Sequence, residues 1–171
     1  LSQSEEIQYT NDICYLGNEK YAGVLTPGNQ FFILDTRNDT IQLGDIPDKE
    51  EEYCTIEAYN DELYFGGYRK NKVIKVNWKN GKIIKQYGNL EQYGRFVGRW
   101  GEEILIDRTE QKEIYRWNVL TGEIKEFAIN EKKRDNKQEN YWYCYGIFKN
   151  LSDGKAYYMN RYNNTFAVWT D

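Results

Sequence analysis

The sequence of 171 residues contains no histidine, and this decides much of the chemistry open to it. Without an imidazole the chain cannot form a His-ligated zinc site, a Ser-His or Cys-His catalytic pair, or a histidine acid–base group. The three cysteines, Cys14, Cys54 and Cys144, form no Cys-x-x-Cys pair and are odd in number. We therefore interpret them as small buried hydrophobic residues and not as a disulfide framework.

Carboxylates are the remaining candidates for acid–base catalysis. A glycosidase needs two carboxyl groups flanking the scissile bond, one of them with a raised pKa. Asp35 fits better as a turn residue, and Glu62 as the solvated start of a strand, which leaves Asp107 without a partner. Asp45 and Asp48 lack the spacing of a known calcium loop. We predict no catalytic residue, no metal site and no cofactor.

Side chains suited to binding are more plentiful, since the chain has sixteen tyrosines and five tryptophans. Aromatic rings offer apolar faces and arginine offers bidentate donors, a combination that fits a planar, anionic or sugar-like ligand. The alternative is ordinary packing between repeats. The candidate ligand-binding residues are Tyr68, Arg69, Tyr93, Arg95, Arg108, Tyr141, Trp142 and Arg161.

Charge and hydropathy narrow the choice of partner. The net charge of −4 argues against nucleic acid, because phosphate binding needs a clustered basic face. The acidic stretch 45–52 and the basic stretch 132–134 are interpreted as solvated loops. No apolar run approaches the ~20 residues of a membrane span. We expect a secreted or cell-surface location over a cytoplasmic one.

A repeat of about 40 residues must position these side chains. Residues 72–84 match residues 113–125 at an offset of 41, and they match residues 30–41 at an offset of 42. Each copy has a strand that ends in an apolar residue, then Asp or Asn, a short turn, and a second strand. Two further strand signals precede each hairpin. The pattern predicts antiparallel four-stranded units whose third strands, apolar at nearly every position, are covered on both faces.

The turn residues have a physical role. Asp35, Asn77 and Asn118 can accept hydrogen bonds from the backbone just ahead and so initiate the turn. Gly81 and Gly122 supply the positive φ that closes it. In the first copy Asp39 occupies the position of these glycines.

The hairpin at residues 117–124 resembles the third-to-fourth-strand hairpin of β-propeller repeats of the quinoprotein and WD types. Residues 63–67 resemble the double-glycine strand of kelch repeats. The resemblance implies an all-β fold, a β-propeller of about four four-stranded antiparallel blades in a single domain, and it implies no particular functional family. The expected blades cover approximately residues 13–43, 54–87, 95–129 and 142–169, with residues 5–9 added to the last.

The fourth unit ends with its third strand. Glu6–Tyr9 resembles the outer strand at 123–127 and could complete that blade, which would close a four-bladed ring. The alternative is a fragment of a larger propeller, or a ring that a homodimer or a larger parent chain completes. The first residue is Leu1, and we expect the chain to be a processed or excised piece.

Propeller ligands usually bind at one end of the ring, where loops join neighbouring blades and where the second strand meets the third. We predict a non-catalytic binding module that recognises a protein partner or a glycan through this loop end. Two alternatives remain open. One is a propeller-type hydrolase or lyase, or a fragment of one, acting on carbohydrate. The other is a structural domain of a larger cell-surface protein.

Overall fold

A computed structural model describes residues 8–67, 72–80, 82–87, 96–108, 113–127, 156–160 and 165–169. These residues form strands, turns and loops and no helix. In this part of the chain there is accordingly no helix long and apolar enough to cross a membrane. The strands are β1 (Tyr9–Gly17), β2 (Lys20–Thr26), β3 (Gln30–Asp35), β4 (Thr40–Asp45), β5 (Tyr53–Tyr59), β6 (Glu62–Gly67), β7 (Val73–Asn77), β8 (Lys82–Tyr87), β9 (Phe96–Trp100), β10 (Glu103–Arg108), β11 (Glu113–Asn118), β12 (Ile124–Phe127), β13 (Ala156–Asn160) and β14 (Thr165–Trp169).

The strands form three four-stranded antiparallel sheets and one hairpin. Sheet 1 has the order β1-β2-β3-β4, sheet 2 the order β5-β6-β7-β8 and sheet 3 the order β9-β10-β11-β12, while β13 pairs with β14. The all-β fold and the repeated meander are thus confirmed. The chain divides into two compact units, Leu1–Arg95 with sheets 1 and 2, and Phe96–Asp171 with sheet 3 and the hairpin.

The core of the first unit lies between sheets 1 and 2. Its central aromatic contact joins Phe31 of β3 to Phe65 of β6, whose ring centroids are 5.6 Å apart. Each large apolar side chain buried here contributes about 1.5–3 kcal/mol relative to exposure. Cys14 and Cys54 are buried and form no disulfide within the described residues, as predicted, whereas Cys144 lies outside them. The core also contains Ala22, Val24, Ile33, Ile46, Tyr53, Ile56, Ala58, Leu63, Ile74 and Val76.

In the second unit, sheet 3 buries its middle strands. Ile104, Leu105 and Ile106 of β10 are fully buried, and Trp117 of β11 is 1% exposed. Successive residues of β10 point to opposite faces, so burial of all three means that both faces of this strand are covered.

The turn chemistry read from the sequence is confirmed. A side-chain oxygen accepts a hydrogen bond from the backbone N–H two residues ahead at Asp35 (3.1 Å), Asn77 (3.0 Å) and Asn118 (2.9 Å). Gly122 has a φ of +78°, and Asp39 has a φ of +51°. Aspartate tolerates this left-handed conformation better than most residues, which explains how it replaces glycine in the first repeat.

The first strand begins earlier than the expected start of the first blade, Ile13. Tyr9, assigned from the sequence to the strand that closes the ring, instead begins β1 and pairs with Thr26. A β-bulge at Asn11 shifts the side-chain alternation, and this hid the start of the strand. Residues 1–7 and Gly81 lie outside the described residues, so ring closure and the blade limits stay predictions.

Candidate functional site

In the first unit, hydrogen bonds at the loop end join residues 27–29, between β2 and β3, residues 46–52, between β4 and β5, and Lys72, which precedes β7. We call these the first, second and third connections, the third being described only at Lys72. The second contains most of the acidic stretch that we interpreted as a solvated loop. That interpretation is wrong for two of its acids, since Asp48 is 7% exposed and Glu51 is 3% exposed. Buried carboxylates need partners, and the neighbouring connections supply them.

Asn29 holds the backbone of the second connection. Its Oδ1 accepts a hydrogen bond of 3.0 Å from the Tyr53 N–H. Its Nδ2 donates to the carbonyl of Asp48 at 3.0 Å and also to the carbonyl of Glu51. The φ of Asn29 is +52°, a left-handed conformation that asparagine adopts more readily than most residues. One side chain thus fixes both ends of the turn that contains the buried acids.

The Asp48 carboxylate is surrounded by donors. Its Oδ2 accepts hydrogen bonds from the Tyr53 hydroxyl at 2.9 Å and from Lys72 Nζ at 3.0 Å, and its Oδ1 accepts one of 2.8 Å from the Glu50 N–H. Burial alone would raise the pKa of Asp48, but these hydrogen bonds outweigh it and hold that pKa below its usual value. Asp48 therefore remains ionised at neutral pH.

The Asp48 carboxylate changes the pKa values of both of its side-chain donors, Lys72 and Tyr53. The hydrogen bond to Asp48 raises the pKa of Lys72, so this ammonium stays protonated. Burial raises the pKa of Tyr53 strongly, and the Asp48 carboxylate raises it further. The Tyr53 hydroxyl therefore acts as a hydrogen-bond donor and not as a base.

Glu51 joins the second connection to the third. Its Oε1 accepts a hydrogen bond of 2.9 Å from the Glu52 N–H, and its Oε2 accepts one of 3.4 Å from the Lys72 N–H. Its side chain lies against Gly67, where a Cβ atom would stand 2.5 Å from Glu51 Cδ. A side chain at position 67 would therefore require the Glu51 side chain to move. We call Asn29, Asp48, Glu51, Tyr53 and Lys72 the loop-end cluster.

The hydrogen bonds of the loop-end cluster stabilise the loops. Its carboxylates accept hydrogen bonds from a lysine, a tyrosine and backbone N–H groups, and the pKa of Asp48 is lowered, whereas a general acid needs a raised one. In the part of the chain that the structure describes, no group of three or more Cys, Asp or Glu residues could hold a metal ion. Asp48, considered above for calcium, is occupied by Lys72.

The structure describes only one of the eight predicted ligand-binding residues, and for that one only the backbone. Arg108 ends β10, where its backbone pairs with Glu113, and only its side chain lies outside the description. The strand-end acid Asp107 pairs with Ile114 in the same way. Seven others lie outside the described residues: Tyr68, Arg69, Tyr93, Arg95, Tyr141, Trp142 and Arg161.

Two strand-end acids have different roles. Asp35 is the turn residue expected of it, and its hydrogen bonds with Asn38 and Lys20 lower its pKa to about 2. Glu62 was expected to be solvated, but its Oε2 lies 2.8 Å from Lys75 Nζ and accepts a hydrogen bond of 3.2 Å from the Tyr64 hydroxyl. The register explains the difference. Tyr64 lies two residues after Glu62 on the same strand and pairs across the sheet with Lys75, so both side chains lie on the same face of sheet 2 as Glu62.

Sheet 3 repeats this ion pair beside an open cleft of about 270 Å³. The Arg116 guanidinium pairs with Glu103 and lies over the Trp100 ring, 4.9 Å from its centroid. The cleft lies at the end of sheet 3 that holds the hairpin turn between β9 and β10. Its lining consists of Trp100, Gly101, Glu102, Glu103, Arg116 and Asn118.

No known family model matches the sequence, and no curated relative does either. Solved structures do match in fold. A streptogramin B lyase is 17% identical, with a TM-score of 0.62, over all of this chain and 57% of its own. A catalytically inactive histidine-to-alanine variant of virginiamycin B lyase from Staphylococcus aureus, crystallised with quinupristin, is 17% identical, with a TM-score of 0.59, over all of this chain and 58% of its own.

BamB from Moraxella catarrhalis is 13% identical, with a TM-score of 0.56, over 92% of this chain and 42% of its own. At these identities the likeness shows the fold, and the fold is that of a β-propeller repeat protein with no specific family. The chain spans a little over half the length of the lyases that it matches.

Proposed function

We propose that this chain is a non-catalytic β-propeller binding module that recognises a protein partner or a glycan through its loop end. The observation that carries the proposal is that the polar side chains of the loop-end cluster form hydrogen bonds to other residues of the cluster. Its buried carboxylates are ionised or engaged as hydrogen-bond acceptors, and its lysine and tyrosine are their partners. Such a network fixes the loops, and it lowers the pKa of Asp48, whereas a general acid needs a raised one.

We choose the residues that would contact the ligand by their position between residues that hydrogen bonds hold in place. The Gly67 N–H donates a hydrogen bond of 2.7 Å to the Lys72 carbonyl, and both residues also touch Glu51. Tyr68 and Arg69 lie in the chain between these two anchored residues. We propose them as the first ligand contacts, because a fixed base limits the entropy lost on binding. The proposed contacts in the remaining repeats are Tyr93, Arg95, Arg108, Tyr141, Trp142 and Arg161.

The second candidate is a lyase or hydrolase acting on carbohydrate, and the likeness to two lyases over the whole chain favours it. One of those lyases is described as catalytically inactive when a histidine is replaced by alanine. The present sequence has no histidine and cannot supply that group. A reaction of the same type would need a different base, so we rank catalysis second.

A screen on glycan and peptide arrays tests the proposal. The labelled protein should bind a defined subset, and Tyr68→Ala combined with Arg69→Ala should abolish that signal. Tyr15→Ala is the matched control, because Tyr15 is 57% exposed and lies near the hairpin-turn end of β1, away from the loops. Equal loss in both variants would overturn the site.

Mass spectrometry of each bound compound after incubation separates binding from catalysis. An unchanged mass is expected, and a cleaved product would instead establish the enzyme. The molar mass of the protein in solution tests a further partner, since a homodimer that completes the ring would double it.

A further inference from the structure

We propose that the outer edge of β4 is a docking site for an extended peptide whose alternate residues are aliphatic and which has a basic residue beside Asp45. This site differs from the loop end, and the proposal does not depend on the proposed function. It rests on the backbone, the side chains and the charge of one strand.

The backbone groups of β4 alternate in direction. The Ile46 N–H donates a hydrogen bond of 2.8 Å to the Asn29 carbonyl. This bond shows which residues of β4 direct their backbone groups toward β3. In an antiparallel pair only every second residue is hydrogen-bonded to its partner. Gly44 and Gln42 therefore bond β3, whereas the N–H and C=O groups of Ile41 and Leu43 point away from the sheet. Among the described residues no strand pairs with that edge.

The side chains of these two residues are also exposed. Ile41 is 61% exposed and Leu43 is 66% exposed. Their cross-strand partners are Leu34 and Phe32 of β3, so both lie on one face of sheet 1, beside apolar neighbours. A strand added to this edge would cover Ile41 and Leu43 with its own alternate side chains.

The outer strands of the other two four-stranded sheets that the structure describes are protected against such pairing, whereas β4 is not. Strand β8 contains Lys82 and Lys85, and its ladder with β7 is irregular at Ile84. Strand β12 has four residues and includes the exposed Lys125. Lysines, bulges and short length are the usual means by which edge strands avoid adding another strand. Strand β4 has six residues in regular register and no lysine.

The negative charge at the end of β4 indicates which kind of peptide would bind there. Asp45 ends β4, and its carboxylate accepts a hydrogen bond of 2.9 Å from the neutral Gln30 amide. The Glu50 side chain in the next loop already pairs with Lys72 Nζ at 3.3 Å, so Asp45 is the carboxylate at this edge. A basic residue in the added strand would face Asp45, whereas a second copy of this acidic chain would bring like charges together. We therefore assign a basic peptide, and not another copy of the chain, to this edge.

The probe is a synthetic peptide of sequence Lys-Thr-Val-Thr-Val-Thr-Lys, whose valines and lysines share one face and whose two terminal lysines allow either strand direction. Amide exchange followed by NMR should show new protection at Ile41 and Leu43 and little change at Gln42, which already bonds β3. This alternation is the signature of strand addition. Replacing both lysines of the peptide by glutamate should remove the protection.

Leu43→Pro deletes an outward N–H without breaking a bond to β3, and it should weaken binding roughly tenfold. Since proline could disturb the strand, the double variant Ile41→Lys/Leu43→Lys provides a second test with an intact backbone, and it should also lose binding. Ile84→Lys on β8 is the matched control and should bind as the parent does. Protection spread over the β8 amides, or protection of Ile41 and Leu43 that rises with protein concentration alone, would overturn the assignment.

Discussion

The side-chain amide of Asn11 on β1 donates a hydrogen bond of 2.6 Å to the backbone carbonyl of Cys54 on β5. Each of these residues is the extra residue of a β-bulge in its own strand. One residue along, the Asp12 carboxylate accepts a hydrogen bond of 3.0 Å from the Ile56 N–H. Sheets 1 and 2 are thus joined at their first strands by side-chain-to-backbone bonds, since the two strands share no ladder.

Asn11→Ala should therefore destabilise the first unit by about 1 kcal/mol, because the carbonyl of Cys54 loses its partner. Thr10→Ala is the control, since Thr10 is an exposed neighbour on the same strand. Urea unfolding followed by tryptophan fluorescence gives both free energies. Equal losses in the two variants would mean that the bond between the bulges contributes nothing.

The contact between Gly67 and Glu51 gives a second prediction. A Cβ atom at Gly67 would displace the Glu51 side chain, and the hydrogen bond from the Lys72 N–H would be lost. Gly67→Ala should cost about 1–3 kcal/mol in the parent protein. In a Glu51→Ala background the same change should cost much less, and the difference is the coupling free energy between the two positions. A coupling of zero would show that Glu51 moves aside freely.

Two buried threonines provide a matched pair. Thr26 Oγ1 is buried without a hydrogen-bond partner in the described part of the chain, whereas Thr55 Oγ1 donates to the Gly66 carbonyl at 3.5 Å. Valine has the same shape as threonine without the hydroxyl. Thr26→Val should be neutral or stabilising by about 1 kcal/mol, since it removes an unsatisfied polar group, and Thr55→Val should be destabilising. Thermal unfolding of the two variants checks the opposite signs.

The turn at Asp35 predicts a dependence of stability on pH. Its folded pKa of about 2 lies below the ordinary value of 3.8, so its charge stabilises the fold above that ordinary value. This contribution is lost as the pH falls through the folded pKa. Asp35→Asn keeps a turn-forming side chain but has no charge. The stability difference between parent and variant should be constant near neutral pH and shrink between pH 3.8 and about 2. Urea unfolding across this range gives both free energies of unfolding. A difference between them that stayed constant would contradict the assignment.

Sequence reasoning succeeded where the interacting residues are close in the chain. The turns at Asp35 and Asn118 were predictable, because each side chain bonds a backbone group two or three residues ahead. The repeat then predicted the meander. The loop-end cluster was not predictable in this way, since Asp48 and Lys72 are 24 residues apart and meet only in the folded unit. The bulge at Asn11 was also missed, because one extra residue reverses the alternation from which strands are recognised.

The last prediction compares two ion pairs related by the repeat. Glu62 and Lys75 in sheet 2 correspond to Glu103 and Arg116 in sheet 3 at the repeat offset of 41. Lysine and arginine are not equivalent here, because the Arg116 guanidinium also lies 4.9 Å from the Trp100 ring centroid. A planar guanidinium can pair with the carboxylate through Nε while its plane stacks on the indole, whereas an ammonium has no plane to stack and makes a more distant ring contact, as Lys75 does with Tyr64.

Arg116→Lys should therefore cost about 1 kcal/mol. The converse change, Lys75→Arg, should fall within about 0.5 kcal/mol of the parent, since Lys75 pairs with Glu62 through a single ammonium and lies 6.0 Å from the Tyr64 ring centroid. Urea unfolding gives both values, and the fluorescence of Trp100 should change only in the first variant. If the two substitutions cost the same, the stacking on Trp100 contributes no stability, and the pair in sheet 3 is an ordinary cross-strand ion pair like that in sheet 2.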